Sequence, residues 1–207
     1  DEAHLFYRMK WAAEMNDLMG GGRPDYARLE SGAGMARLRS EYKLDPEVMR
    51  ELDTAYGPLD WRLPETHALY WAWMGKKYAT AKTSLPCDRM IYQAMASTFM
   101  RGQCLFRPGD NTYETAPYPE SLPRAMKAFE YAIARHPDEA IKAAYVYFLQ
   151  NAVYVLHVMN REEEARRVFE RLTTTFRTYA IPGYDALISA PSAPSLRQIK
   201  GPRTNTP

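Results

Sequence analysis

Few residues of this chain have the type and spacing that metal binding or redox chemistry requires. None of the histidines belongs to H-E-x-x-H, the pattern that places two imidazoles on one helical face. Neither cysteine belongs to C-x-x-C, so Cys87 and Cys104 fit a disulfide or two small buried apolar side chains equally well. We expect no metal site. The histidines are His4, His67, His136 and His157.

Nucleophilic and nucleotide chemistry have equally little support. The patterns G-x-S-x-G and G-x-x-x-x-G-K-[ST] are absent. Gly20–Gly22 follows a predicted helix rather than a strand, which is typical of a helix end. Glu162–Glu164 opens another predicted helix, where the helix dipole stabilises negative charge, so these carboxylates do not indicate an acid–base pair. We predict no catalytic residue and no cofactor.

Composition and charge are those of an ordinary globular chain. Of the 207 residues, 46% are hydrophobic and 25% are charged, and the formal net charge is +2. Basic and acidic residues are interspersed, so the sequence lacks the basic stripe of nucleic-acid-binding proteins. The exception is the end of the chain, where Arg197, Lys200 and Arg203 lie among prolines without an acid. This composition predicts an extended or disordered tail, or an arm that contacts a partner.

Proline and glycine divide most of the chain into predicted helices. One helix has signals at both ends: Asp45 is its N-cap, Pro46 lies in its first turn and Gly57 follows its last residue. Apolar residues at steps of three and four predict the others. The predicted helices are His4–Met19, one between Asp25 and Tyr42, Asp45–Tyr56, Glu65–Lys82, Asp88–Gly102, Ser121–His136, Asp138–Met159 and Arg161–Tyr179.

Two segments differ in pattern from the other predicted elements. Ala143–Met159 is apolar on nearly every side, but it is shorter than the roughly 20 residues of a membrane span, so it predicts the buried centre of a helix bundle. Arg107–Glu120 contains several prolines, and its Gly109-Asp110-Asn111 turn lacks flanking strand patterns. We predict a long irregular loop there, which is often functional or mobile.

Residues 71–78, Trp-Ala-Trp-Met-Gly-Lys-Lys-Tyr, resemble the first-helix signature of the tetratricopeptide repeat (TPR), W-x2-L-G-x2-Y. The second-helix pattern, a small residue four positions before a large one, occurs at Ala125 and Ala165 and more weakly at Cys87. These three positions are 38 and 40 residues apart, whereas a regular array repeats every 34. The resemblance implies an all-α, irregular TPR-like stack of antiparallel helix pairs.

The same resemblance implies a non-enzymatic protein–protein interaction module or scaffold, because repeat stacks present extended binding surfaces. The alternatives are a permanent accessory subunit of a larger complex, including a membrane-associated one, and an enzyme with an unrecognised aromatic pocket. The expected partner is a protein, a peptide or a second copy of the chain. Nucleic acid and a direct membrane span are not expected.

Aromatic residues of the TPR-like helix are the best candidates for partner contact. His67, Trp71 and Tyr78 share one face with Met74, and we predict that this face packs in the core. Tyr70 and Trp73 lie off that face and are predicted to contact a partner, together with the loop Arg107–Glu120 and the tail. The candidate partner-binding residues are Tyr70, Trp73, Trp61, Tyr113 and Tyr118.

The predicted organisation has three parts. Residues 1–57 form an N-terminal helical segment, residues 58–180 a TPR-like helical domain, and residues 181–207 a proline-rich tail. The segment from Leu59 to Trp71 is also similar to uncharacterised bacterial TPR-like proteins. The chain begins at Asp1 rather than Met. We therefore expect either a bacterial cytoplasmic protein or an exported, periplasmic one.

Overall fold

The chain is predominantly helical in the computed structural model, which describes residues 2–30, 32–109 and 112–189. Helices account for 69% of these residues, and the single sheet among them has two strands. The all-α prediction is confirmed. The helices are α1 (Glu2–Met19), α2 (Tyr26–Glu30), α3 (Gly34–Ser40), α4 (Pro46–Tyr56), α5 (Pro64–Tyr78), α6 (Leu85–Arg101), α7 (Leu122–Arg135), α8 (Glu139–Val158), α9 (Glu162–Thr175) and α10 (Tyr184–Ser189). The strands are β1 (Gln103–Arg107) and β2 (Thr112–Ala116), and Pro119–Ser121 forms a 3₁₀ turn.

The chain divides into two compact units. The N-terminal unit comprises Asp1–Ala132, and the C-terminal unit comprises Ile133–Pro207. The predicted boundaries after residues 57 and 180 stay predictions, and the tail from residue 190 onward lies outside the described residues. No helix within the described ranges is long and apolar enough to cross a membrane.

Helix α4 shows how local sequence fixes an element. The Asp45 carboxylate accepts a hydrogen bond from the Glu47 N–H at 3.0 Å, and Pro46 occupies the first turn. Met49 and Leu52, on one face of the helix, are fully buried. The helix ends at Tyr56, as predicted from Gly57, whose N–H donates to the Asp53 carbonyl.

Helices α5 and α6 form an antiparallel pair that ion pairs close at both ends. Glu65, near the start of α5, contacts Arg101 at the end of α6. Lys76, near the end of α5, lies 2.9 Å from Asp88 near the start of α6. Both carboxylates are buried. The pairing confirms the predicted helix hairpin, although its membership in a repeat stack stays a prediction.

The C-terminal unit contains a second antiparallel pair, α8 and α9. Asp138 caps α8, and Asn160 adopts a left-handed conformation (φ 59°) in the short turn between the helices. The Glu139 carboxylate accepts a hydrogen bond from the Tyr179 hydroxyl at 2.9 Å, beyond the end of α9. The sequence predicted this hairpin from the polar turn, and the structure confirms it.

Part of the predicted irregular loop Arg107–Glu120 is instead strand β2, which forms a β-hairpin with β1. β1 and β2 pair antiparallel, with Gln103 opposite Ala116 and Arg107 opposite Thr112. The Phe106 ring packs on Tyr113, with centroids 5.2 Å apart. The prediction was wrong because each strand is only five residues long, and cross-strand pairs of this kind stabilise a sheet without a strong alternating pattern.

Several predicted helix bounds also need correction. The helix expected between Asp25 and Tyr42 is two short helices, α2 and α3, interrupted beside Gly32, since glycine is unfavourable inside a helix. Helix α5 ends at Tyr78 rather than Lys82, because the Thr80 N–H and the Thr83 hydroxyl form a turn. The predicted extension of α9 to Tyr179 is also wrong, since that helix ends at Thr175.

Candidate functional site

The face of α5 that packs in the core is not the one predicted. Leu69 and Tyr70 are buried, whereas Trp71 is 51% exposed and Tyr78 is 82% exposed. The prediction that Trp71 and Tyr78 belong to the core is wrong. Both faces of this helix carry large apolar residues, so spacing alone could not decide which face α4 and α6 would cover.

Three of the five candidate partner-binding residues are buried. The Tyr70 hydroxyl accepts a hydrogen bond from the Asp45 N–H at 2.8 Å, so its ring is fixed between α5 and the start of α4. Trp61 is fully buried, and its indole N–H donates to Asp53 at 3.2 Å. Tyr118 is also buried. The expectation that Tyr70 lies on an accessible surface is therefore wrong, and less than a tenth of each of these three residues is accessible.

Tyr113, the fourth candidate, lies on the β-hairpin and is half-buried. It packs against a small core cluster formed by Ala12, Leu63 and Cys104. Tyr113 therefore anchors strand β2 to the helical part of the N-terminal unit. Part of the Tyr113 side chain is accessible, so its contact with a partner stays a prediction.

Trp73, the fifth candidate, lines an open cleft of about 490 Å³. We call this cavity the Trp73 cleft; its lining residues are Tyr56, Trp73, Lys76, Lys77 and Tyr131. The rings of Tyr56 and Trp73 meet edge to face, with centroids 5.9 Å apart. The Lys76 ammonium lies 3.9 Å from the centroid of the Tyr131 ring, in cation–π geometry. Helices α4, α5 and α7 thus bring three aromatic rings and two lysines together.

The lysines of the Trp73 cleft are matched by carboxylates. Lys77 lies 3.0 Å from Glu51, which also accepts a hydrogen bond from the Trp73 indole N–H at 3.2 Å. Hydrogen bonds from Lys77 and Trp73 lower the pKa of Glu51. Burial opposes the charge of Lys76, but hydrogen bonds with Asp88 and Tyr131 raise its pKa overall. Each lysine of the lining therefore has a carboxylate partner, and the formal charges of the two pairs cancel.

The Tyr56 hydroxyl stays protonated in this cleft. Burial is the largest cause of the raised pKa of Tyr56, and the charge of Lys76 opposes it only in part. A protonated phenol donates a hydrogen bond as well as accepting one. The cleft therefore combines flat apolar rings with hydrogen-bond donors.

A second, smaller cleft of about 260 Å³ lies where the β-hairpin meets the connector between α4 and α5. Its central group is Arg62, whose guanidinium binds Asp60 through two nitrogens at 2.9 and 2.7 Å. Arg62 also donates to the Cys104 carbonyl at 2.7 Å, and Asp60 accepts from the Cys104 N–H at 3.1 Å. These polar groups bind each other, so the network fastens the hairpin rather than offering groups to a ligand.

Asp53 is a perturbed acid that sequence reasoning missed. Its carboxylate accepts hydrogen bonds from the Tyr26 hydroxyl at 2.9 Å, the Leu59 N–H at 3.0 Å and the Trp61 indole. Burial raises the pKa of Asp53 above that of a solvated carboxyl, and these hydrogen bonds offset only part of the shift. Because its acceptor sites are used by three donors, Asp53 holds α2, α4 and the connector together.

Both thiols are free, so the disulfide alternative for Cys87 and Cys104 does not apply. Cys104 is buried in the small cluster beside Tyr113, and Cys87 is half-buried beside Gly75. Across the described ranges, no three His, Cys, Asp or Glu side chains are grouped as a metal site would require. His67 instead bonds to the Trp61 carbonyl through Nε2 at 2.9 Å.

Comparisons with protein-family models, characterised proteins and solved structures give no match to this chain.

Proposed function

We propose that the chain is a non-enzymatic protein-interaction module that binds a partner segment in the Trp73 cleft. The observation that carries the proposal is the grouping of Tyr56, Trp73 and Tyr131 around one open cavity. Tyrosine and tryptophan dominate the binding energy of many interfaces, because they bury large areas and fix few rotatable bonds. The antiparallel hairpin α5–α6, which presents Trp73, agrees with a TPR-like binding surface.

The chemistry of the cleft favours an extended, proline-containing segment. Proline-rich chains dock in aromatic-lined grooves, where flat rings pack against the pyrrolidine rings. Such chains expose carbonyl acceptors and lack the corresponding N–H donors. The lining of the Trp73 cleft contains further donors, which are the tyrosine hydroxyls and the ammonium groups, whereas the Trp73 indole N–H already donates to Glu51. Each lysine has three donor hydrogens, so an ion pair leaves donors for a peptide carbonyl.

The absence of net charge in the cleft fits the same occupant. Lys76 and Lys77 are paired with Asp88 and Glu51, so an acidic segment would meet no unpaired positive charge and would be repelled by the two carboxylates. An uncharged segment binds without breaking either pair. We therefore favour a neutral proline-rich peptide over an acidic one.

The test is a calorimetric titration of the full chain with a ten-residue polyproline peptide. We expect the wild type to bind it, and Trp73→Ala to weaken binding at least tenfold, the effect of losing about 1.4 kcal/mol from an aromatic contact. Trp71→Ala is the matched control, because Trp71 belongs to the same helix, is half exposed and does not line the cleft. A ten-residue Gly-Ser peptide controls for unspecific binding.

Two outcomes would contradict the proposal. One is the absence of binding to polyproline by a wild-type chain with its native circular dichroism spectrum. The other is equal loss of binding in Trp71→Ala and Trp73→Ala, which would place the contact elsewhere on α5.

A further inference from the structure

Helix α8 in the C-terminal unit carries an accessible apolar face that the proposed function does not use. Its buried side packs against α9 and α10, whereas Tyr147 is 45% exposed and Val158 is 64% exposed. Exposed and half-buried residues recur at steps of four, three, four and four, which is a single helical face: Ala143, Tyr147 and Val158 are exposed, and Gln150 and Tyr154 are half-buried. We call this face the α8 stripe; its residues are Ala143, Tyr147, Gln150, Tyr154 and Val158.

The α8 stripe has no charge, unlike the surface beside it. The sequence contains no Asp, Glu, Lys or Arg between Lys142 and Arg161. The neighbouring helix α9 exposes Glu163, Arg166 and Arg167. A charged partner surface would lose solvation against the stripe without gaining an ion pair. The stripe therefore fits a neutral, apolar surface of similar length, about 22 Å at 1.5 Å per residue.

The order of side chains along the stripe is nearly the same when read in either direction. Tyr147 and Tyr154 are equally far from a midpoint between residues 150 and 151, and so are Ala143 and Val158. In an antiparallel pair of α8 helices, Tyr147 would face Tyr154 of the second copy, and the small Ala143 would face Val158. The two Gln150 amides would lie beside the two-fold axis, where each amide can donate to the other. Such self-complementarity is what a two-fold symmetric interface requires.

We propose that the α8 stripe is the site where two copies of the chain pair, with their α8 helices antiparallel. A single helical face is smaller than the roughly 800 Å² per partner of a standard stable interface. The dimer is therefore reversible, with a dissociation constant on the order of micromolar.

Cysteine cross-linking tests the geometry directly. In a Cys87→Ser/Cys104→Ala background, Gln150→Cys should form a disulfide-linked dimer under mild oxidation, because the two positions flank the axis. Val158→Cys alone should stay monomeric, since its two copies would be about 22 Å apart along the axis, beyond disulfide reach. A mixture of Ala143→Cys and Val158→Cys chains should cross-link. Equal self-cross-linking of Gln150→Cys and Val158→Cys, or none in either, would overturn the antiparallel pairing.

Sedimentation equilibrium provides a readout without engineered thiols. The wild type should be dimeric at about 100 micromolar. Tyr147→Glu should be monomeric, because pairing would bury its carboxylate. Its melting temperature should be unchanged. Tyr78→Glu, at an 82% exposed tyrosine in the N-terminal unit, should remain dimeric. A monomeric wild type overturns the proposal. If the wild type is monomeric but a chain that ends at Ser189 dimerises, residues 190–207 cover the α8 stripe in the wild type.

Discussion

Gly75 in α5 approaches Cys87 in α6 so closely that a β-carbon at position 75 would lie 3.1 Å from the Cys87 Sγ. This spacing is tighter than ordinary van der Waals contact. The two helices therefore pack this closely because Gly75 has no side chain. The close approach places the ends of the helices where Lys76 can reach Asp88. One glycine thus allows both the packing of the hairpin and the ion pair beneath the Trp73 cleft.

Gly75→Leu should destabilise the N-terminal unit by about 1–3 kcal/mol, because the added side chain overpacks the contact with α6. Denaturant unfolding measures this loss. Gly183→Leu is the control, since nothing lies within 4 Å of a β-carbon at that glycine. Equal free energies of unfolding for Gly75→Leu and the wild type would contradict this prediction, because they would show that α5 and α6 can move apart to accept the leucine without losing stability.

Asp88→Ala should cost about 3 kcal/mol in the free energy of unfolding, because it leaves the Lys76 ammonium largely buried without its carboxylate. The corresponding exposed pair provides the comparison. Glu51→Gln should change the free energy of unfolding much less than Asp88→Ala, since Glu51 and Lys77 are both well solvated. A larger loss from Glu51→Gln than from Asp88→Ala would contradict the assignment of the buried pair.

Asp53→Ala should destabilise the chain by about 3 kcal/mol, because the buried Trp61 indole and the Leu59 N–H lose their acceptor. Asp53→Asn retains one carbonyl acceptor and should cost less. Tyr26→Phe removes a single donor and should cost about 1 kcal/mol. Thermal unfolding of the three variants tests this order, and a Tyr26→Phe variant less stable than Asp53→Ala would reverse it.

His67 should make stability depend on pH below neutrality. Burial lowers the pKa of His67, although the hydrogen bond with the Trp61 carbonyl opposes part of the shift. As the pH falls below the unfolded-state pKa of about 6.5, the unfolded chain gains a proton that folded His67 resists. The free energy of unfolding should therefore decrease as the pH is lowered, by up to about 1.4 kcal/mol per pH unit, until the pH reaches the folded-state pKa of His67.

Urea unfolding between pH 5 and 7.5 measures this dependence. His67→Gln is the control, since a glutamine amide can donate to the same carbonyl but does not titrate. The difference in unfolding free energy between the wild type and His67→Gln should change with pH. A constant difference across the range would show that His67 titrates alike in both states.

Local signals in the sequence predicted the elements better than the surfaces. Asp45, Pro46 and Gly57 act within their own turns, so the bounds of α4 followed from their types. The accessible face of α5 depends on where α4 and α6 pack, and spacing could not distinguish two apolar faces. Phe129, four positions after Ala125, is buried and stacks on Tyr92 with centroids 4.4 Å apart, a contact between α7 and α6 that spacing did not specify.

The Trp73 cleft was predictable only in part. Trp73, Lys76 and Lys77 are close in sequence and belong to one helix. Tyr56 and Tyr131 come from α4 and α7, and only the tertiary fold brings their rings to the same cavity. No signal in a single sequence specifies such long-range neighbours.

The side chains of Asp60 and Arg62 occupy the outer border of strand β1 in place of another strand. The Cys104 N–H and carbonyl, which bind Asp60 and Arg62, are the atoms that a third strand would use for pairing. Unpaired strand borders invite association between chains and, at high concentration, aggregation. An intramolecular aspartate–arginine pair thus makes the hairpin a poor template for growth of the sheet at this position.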